Sequence, residues 1–431
     1  MQIIRTLDEL DAKLRECDRA EQLSDDHLRE VFATFCMEPP KGLSVDPFSP
    51  VYREFQLDLY RTIAGKDYSL ANEATIFEVD SNQKRPFPYS TGSSATAGDH
   101  LMALGFLLRC MALPPRSRVL ELGFGWGNST LAFAALGHKV TAVDIEPRFC
   151  ELVRRRAAHE GLGVSIVNAD FLWIEDANDT FDAVIFFESF HHSDDHFRLL
   201  HALRRVVTPQ GRLFFAAEPI QPDFAYPWGL RLDGQSLWSI RKHGWLELGF
   251  SDRYFAEALA RSGWFGSRQV AGVPSWLNVW EARLRQNTVF RYRADHPGLQ
   301  TQVGERIEDC IVLRDAPTGA ALFGPYVPLP AERYLARICF RAEGLRRGRA
   351  VMDVCAEAGK RRLAQRPVEP TLQGEAIAFM ELPFAADQDL TDVEVRLFCD
   401  KGFSAEIEAV EIRPAPWPAT SVGWGEPPTS C

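Results

Sequence analysis

Residues 119–128 read Val119-Leu120-Glu121-Leu122-Gly123-Phe124-Gly125-Trp126-Gly127-Asn128, and this stretch decides the fold. An apolar run of strand length stops at Gly123, glycine recurs at every second position, and a helical period starts at Asn128. Glycines directly after a buried strand permit a tight turn and let the backbone approach a ligand closely. The helix that follows points its unpaired N–H groups at the same place. Asn128 stands where a Gly-x-Gly-x-x-Gly turn needs its third glycine, which disfavours a nicotinamide dinucleotide.

Outward from this turn, short apolar runs alternate with helical periods, the pattern of βαβ units around a parallel sheet. Strands are expected at Arg118 to Leu122, Lys139 to Val143, Val164 to Val167, Phe181 to Phe187, Arg212 to Ala217, Gly266 to Val270 and Leu277 to Leu284. Helices are expected at Asn128 to Leu136, from Pro147 to Glu160, over Ser193 to Val207, and over Asp252 to Arg261. Two acids fall at successive strand ends. Asp144 is placed to accept hydrogen bonds from both hydroxyls of a ribose. Asp170 is placed to accept from an adenine amino group, with Phe171 packing against the base.

Taken together, these segments resemble the class I S-adenosylmethionine-dependent methyltransferases. Glu121 to Gly127 matches their first motif, Val143-Asp144 the second, Asn168-Ala169-Asp170 the third, and Phe181-Asp182-Ala183-Val184-Ile185 the fourth. The resemblance implies a Rossmann-like seven-stranded sheet with an antiparallel last strand at Leu277 to Leu284. It implies S-adenosylmethionine as cofactor, held by Glu121, Gly123, Gly125, Gly127, Asp144, Asp170 and Phe171. Tyr89-Ser90-Thr91-Gly92 sits where such enzymes touch the methionine end.

A fold does not settle the acceptor. Glu188-Ser189-Phe190-His191-His192-Ser193-Asp194-Asp195-His196 follows the fourth strand, facing the expected methyl donor. A hydroxyl acceptor must lose a proton as it attacks, so His192, then His191, are the candidate bases, with Glu188 or Asp194 orienting the ring. A metal set from His192, Asp194, Asp195 and His196 is the lesser reading for ligands so compressed in sequence; the acids are expected to cap the next helix, and no metal is expected. The insertion from Glu218 to Phe250 carries Trp228, Arg231, Trp238 and Arg241. Aromatic planes with polar neighbours suit a sugar ring, and the bases suit a phosphate; the alternative is that the tryptophans seal the insertion against the sheet.

The remaining chain sets the frame. It has 431 residues, 46% hydrophobic and 25% charged, enough for two or three domains. A net charge of −11 argues against general nucleic-acid binding. No apolar run reaches membrane-span length, and the N-terminus lacks the apolar core of a signal peptide, so no membrane insertion and a cytoplasmic location are expected. The nine cysteines include no Cys-x-x-Cys pair and are expected to be reduced. Residues 1–88 read as a helical N-terminal cap and 89–286 as the α/β methyltransferase domain. Residues 287–414 read as an antiparallel β-sandwich, with carbohydrate binding as one reading, and 415–431 as a flexible tail. Ala321 to Pro330 followed by Arg333-Tyr334 resembles the opening of β-sandwich modules attached to bacterial glycan-assembly enzymes. The function expected is O-methylation of a sugar hydroxyl in glycan or nucleotide-sugar biosynthesis, the partner being a small-molecule or glycan substrate. Two alternatives stay open: a methyltransferase for another small molecule, and a non-catalytic binding protein on this fold.

Overall fold

The seven strand-length runs around the glycine turn pair into one sheet: β1 (Arg118–Leu122), β2 (Lys139–Asp144), β3 (Val164–Asn168), β4 (Phe181–Phe187), β5 (Val207–Ala216), β6 (Trp264–Val270) and β7 (Asn278–Leu284). Their order is β6-β7-β5-β4-β1-β2-β3. β1 to β5 are parallel, while β7 runs antiparallel to both β5 and β6. The computed structural model describes residues 1–40, 45–84, 93–271, 277–341, 349–368 and 379–415. Tyr89 to Gly92 and most of the expected tail lie outside the described residues. Two compact units emerge, Met1–Gln286 and a second beginning at Asn287.

Alternation along each strand sends successive side chains to opposite faces. In β4, Ala183, Ile185 and Phe187 join one core with Val119, Phe214 and Val279. The chain opens with α1 (Leu7–Glu21), α2 (Asp25–Phe32) and α3 (Pro50–Ala64); α4 (Ser94–Met111), α5 (Asn128–Ala135) and α6 (Pro147–Glu160) then cover that face through Leu104, Leu107, Phe133 and Val153. Val184 and Phe186 join the other core with Leu120, Leu122 and Phe215. There α7 (His196–Ala202) and α8 (Asp252–Arg261) pack through Leu199, Leu200, Phe255 and Leu259. Covering both faces explains why β4 reads as an unbroken apolar run from Ala183 to Phe187.

Several expectations need correction. α4 has no counterpart among the helices expected from the sequence, although Leu104, Leu107 and Met111 lie at helical spacing. α7 is shorter than Ser193 to Val207: Asp195 caps it by accepting from the Arg198 N–H, and a tight turn over Leu203–Arg205 ends it. β5 begins at Val207 and runs through Pro209-Gln210-Gly211, the extra residues absorbed by a register shift opposite Phe181 and Ala183. Within the segment expected to be a helical cap, Phe35 lies in a short strand, Phe35–Met37, that pairs in parallel with Gln2–Ile4.

The N-terminal segment and the insertion after β5 pack on one another. Helices with ranges Leu7–Glu21 and Pro50–Ala64 meet an insertion built from Trp228–Leu230, Leu248–Ser251 and the helical stretch Gly234–Trp238. Tyr52 donates to the Trp228 carbonyl at 2.9 Å, the Trp228 indole to the Pro47 carbonyl at 2.7 Å, and Tyr60 to the Gly244 carbonyl at 2.6 Å.

The second unit is all antiparallel strands in two sheets. One follows the order 305–307, 310–316, 403–414, 332–340, 379–386, with 290–293 paired to 403–414. The other follows 319–322, 390–399, 350–356, 361–368, with 325–329 paired to 390–399. Strict alternation in Glu332–Phe340 places Tyr334, Ala336, Ile338 and Phe340 inside. Among the described residues no helix is long and apolar enough to cross a membrane.

Gly127 carries a precise packing demand. It has φ +76°, and a Cβ there would lie 2.3 Å from Val153 Cγ2 on α6. Gly127→Ala is expected to destabilise the fold by about 2–4 kcal/mol, combining left-handed backbone strain with overpacking. Denaturant unfolding measures it, and Val153→Ala in the same chain should recover the overpacking part only.

Candidate active site

At the carboxyl ends of β1 to β5 lies a cavity of about 580 Å³. Gly123, Gly125, Asp144, Asp170 and Phe171 line one part of it, and Glu188, His192 and Glu247 another. The glycine turn is held by the Gly123 N–H donating to the Val143 carbonyl at 2.8 Å. A Cβ at Gly123 would lie 2.6 Å from Ser189 Cβ, so glycine is required for the β4 loop to close down. A Cβ at Gly125 meets nothing within 4 Å, leaving that wall open to a ligand.

Asp144 faces this opening. One carboxylate oxygen accepts from the Gly125 N–H at 2.8 Å and the other from the Glu146 N–H at 2.9 Å. Burial raises its pKa to about 6, against the pull of those two N–H groups. The Ala169 N–H donates to the Asp144 carbonyl at 3.1 Å, which brings Asp170 and Phe171 alongside. Glu121 and Gly127 are placed differently from the others. The Glu121 carboxylate is fully buried and accepts from the Ser129 and Thr130 hydroxyls on α5, and burial raises its pKa to about 7. Gly127 packs on Val153. Neither lines the cavity; both brace the turn from behind.

The loop after β4 is organised by Glu218, at the end of β5. Its Oε1 accepts from the N–H groups of Ser189 and Phe190, each at 2.8 Å. Its Oε2 accepts from the His191 N–H at 3.2 Å and sits 2.7 Å from His191 Nδ1. Burial alone would push the Glu218 carboxyl up, yet His191 and the backbone donors outweigh it and hold it below the usual range. Glu188 and Ala217 close the two strands with φ +53° and +55°, left-handed positions that are strained for residues with a side chain. Glu188 opens onto the cavity, though the protein surrounding it, then the charge of Glu218, raises its pKa to about 7.

His192 lines the cavity, and its Nδ1 lies 2.7 Å from the Leu246 carbonyl. A carbonyl only accepts, so Nδ1 carries the proton and Nε2 the lone pair. Glu73 Oε2 lies 3.4 Å from the same Nδ1, while Glu73 Oε1 accepts from the Leu246 N–H at 2.9 Å. Burial raises the Glu73 pKa to about 7. Glu188 and Asp194, expected to orient the ring, do not; Leu246 and Glu73 hold it instead. Asp194 is engaged by Arg53, whose Nε donates to the Asp194 carbonyl at 3.1 Å and whose guanidinium pairs with its carboxylate. Glu73, Tyr68 and Arg53 all reach the cavity from the N-terminal segment and were not singled out from the sequence.

The four residues expected to hold substrate lie elsewhere. Trp228 is buried at 3% exposure against Tyr52 and His196. Trp238 packs on Phe32 and His243. Arg241 is clamped by both oxygens of Asp11 at 2.9 and 3.1 Å, and Arg231 pairs with Asp233 and Glu247. None of the four lines the cavity: three are packed against the N-terminal segment, and Arg231 is held within the insertion itself. His196 is likewise a core residue, 2.7 Å from the Tyr254 hydroxyl, with burial lowering its pKa to about 3.

The cavity wall is acidic. Glu73, Glu188, Asp194, Asp195 and Glu247 lie around His192, while Arg53 is taken up by Asp194 and Arg198 by Glu175 at 2.6 and 2.8 Å.

A family profile described as a methyltransferase domain matches residues 119–211. The ubiquinone biosynthesis O-methyltransferase of Xanthomonas axonopodis pv. citri is 31% identical over 105 residues, covering 24% of this chain and 44% of that enzyme. The demethylmenaquinone methyltransferase of Thermobifida fusca is 31% identical over 189 residues, covering 41% of this chain and 75% of that enzyme. The chain spans about half the length of other curated relatives it matches, 44% and 50% in two cases. Among solved structures, the 1,6-didemethyltoxoflavin-N1-methyltransferase of Burkholderia thailandensis aligns with a TM-score of 0.33 and 22% identity, over 44% of this chain and 81% of that one.

Glu218→Ala removes the acceptor for three N–H groups and leaves the His191 ring without its partner. A loss of about 3–5 kcal/mol is expected, since each buried donor left unsatisfied costs about 1–3 kcal/mol. Glu218→Gln, which keeps one acceptor, should lose less, and urea unfolding of the two variants ranks them.

Proposed function

We propose that this chain, which belongs to the class I S-adenosylmethionine-dependent methyltransferase family, binds S-adenosylmethionine and transfers its methyl group to a hydroxyl of a small molecule. One observation carries the reading: the glycine turn with Asp144 and Asp170 opens into the same cavity as Glu188 and His192. When bound, S-adenosylmethionine supplies an electrophilic methyl group on a sulfonium. Gly123 and Gly125 present bare backbone to it, Asp144 accepts from the ribose hydroxyls, and Asp170 with Phe171 receives the adenine. Glu121 and Gly127 act indirectly by holding that turn.

Toward the acceptor, the chain has to align a hydroxyl in line with the methyl group and remove its proton. His192 is suited to the second task, since its Nδ1 is committed to Leu246 and its Nε2 lone pair remains for the proton. Glu188 is a second proton acceptor on the same wall. His191 is a positioning residue, tied to Glu218 behind the loop. Transfer to oxygen is also what the name of the Xanthomonas relative states for that enzyme.

The acceptor's class follows from charge. Asp194 and Glu247 answer Arg53 and Arg231, leaving Glu73, Glu188 and Asp195 as the acidic balance of the wall, so a diphosphate-linked sugar would meet repulsion and a hydroxyl-bearing molecule without such charge is favoured. The case for a sugar built on Trp228, Arg231, Trp238 and Arg241 loses its footing, because those residues are used in packing. A carbohydrate remains within the neutral polyhydroxyl class without being singled out. For the second unit, a sandwich arrangement of its two sheets and a carbohydrate-binding role remain proposals.

Calorimetry with S-adenosylmethionine tests the cofactor half. Asp144→Asn should weaken binding by roughly ten- to hundredfold, as expected for about 1.5–3 kcal/mol in a charged hydrogen bond. Asp144 is ionised above its pKa of about 6 and neutral below, so wild-type affinity should fall as pH drops through about 6. Affinity that is flat from pH 8 to 5 would sink the assigned role. For the transfer half, His192→Ala should slow turnover of the true acceptor by about 10²–10⁴-fold while leaving cofactor affinity unchanged.

A further inference from the structure

We infer that His191, His192 and Glu247 form a site for one divalent transition-metal ion of the zinc or manganese class, opening onto the acceptor end of the cavity. The inference rests on the methyl-transfer reading of that cavity and changes which group takes the proton.

Each of the three residues offers a ligand atom within 4.8 Å of the other two, and His191 Nε2 lies 3.8 Å from Glu247 Oε2. Ligand atoms around a tetrahedral zinc ion stand roughly 3.3 Å apart, given metal–nitrogen bonds of about 2.0–2.1 Å. Side-chain rotations of an ångström or so would therefore close the set. The outer partners are already in place. His191 Nδ1 is 2.7 Å from the Glu218 carboxylate and His192 Nδ1 is 2.7 Å from the Leu246 carbonyl. A carboxylate or carbonyl on the second nitrogen is how metal-binding histidines are oriented, and it leaves the lone pair of both neutral rings on Nε2.

Charge balance gives an independent argument. The carboxylates of Glu73, Glu218 and Glu247 crowd the two imidazoles with side-chain exposures of 11%, 1% and 11%, and Arg231 lies 3.4 Å from Glu247. Carboxylates withdrawn from water in this number call for positive charge. A divalent ion supplies it where two nitrogens already converge.

Three protein ligands leave coordination positions open, the arrangement of catalytic rather than structural sites. His192 and Glu247 both line the cavity, so those positions face an incoming acceptor hydroxyl. Coordination makes that hydroxyl more acidic. Its O–H bond breaks, with the proton passing to the Glu188 carboxylate, and the oxygen's electron pair forms the bond to the methyl carbon. The pair of the methyl–sulfur bond returns to sulfur, leaving a neutral thioether. His192, its lone pair committed to the ion, holds no proton in this step.

The test uses full-length untagged protein, stripped with a chelator and titrated with Zn2+ and Mn2+ by calorimetry, with Co2+ absorption as a spectroscopic check. One equivalent should bind the wild type, and Glu247→Gln and His191→Ala should each weaken binding at least tenfold while their circular dichroism stays native. Absence of stoichiometric binding overturns the inference, as does equal affinity in Glu247→Gln or full turnover of the true acceptor in excess chelator. S-adenosylmethionine binding is titrated in parallel on the stripped protein. Its loss there would count against the underlying methyl-transfer reading, and the metal isotherm would be unaffected by that failure.

Discussion

One buried carboxylate governs the site. Glu218 collects the N–H groups of Ser189, Phe190 and His191 and one ring nitrogen of His191. A loop at a strand end leaves its backbone donors without ladder partners, and leaving them buried and unmet is costly. Glu218 meets them from the neighbouring strand, so β4 and β5 end in a single welded edge. That edge fixes the left-handed turn at Glu188, the close seat of Ser189 over Gly123, and the direction of the His191 ring. The cofactor turn and the acceptor wall are therefore set by the same interaction.

What was legible in the sequence was local. The strand, glycine turn and helix from Val119 onward follow one another along the chain, so their geometry is dictated by neighbours. Asp144 and Asp170 could be placed because each ends a strand whose register is set by the buried sheet. Glu121 was half-legible. Its parity with Val119 points it at the α5 face, so a role behind the turn was readable from alternation alone, whereas family likeness suggested a direct contact. The α4 helix was overlooked although its leucine spacing is regular.

The rest depended on long-range packing that composition does not disclose. Trp228, Trp238, Arg231 and Arg241 have the same residue types whether they form a sugar platform or a sealed seam. Only the partners decide, and Asp11, Tyr52 and Phe32 lie far away in sequence. Likewise, nothing in the short irregular stretch around Glu73 indicates that its carboxylate will meet Leu246 and His192.

The way Glu73 reaches the site has a wider consequence. The wall that would meet an acceptor is shared between a segment ahead of the sheet and an insertion behind β5, while the glycine turn and its acids lie wholly within the sheet. These are separable stretches of chain, joined by mutual contacts such as Tyr52 with Trp228 and Arg241 with Asp11. Divergence of the two outer stretches would have to be concerted, because a change in one exposes polar groups on the other. The donor machinery is touched by the first of them as well, through Phe77 packed on Trp126 and the Thr75 N–H donating to Glu146, so an exchange of acceptor wall has to keep those contacts while the two outer segments change together.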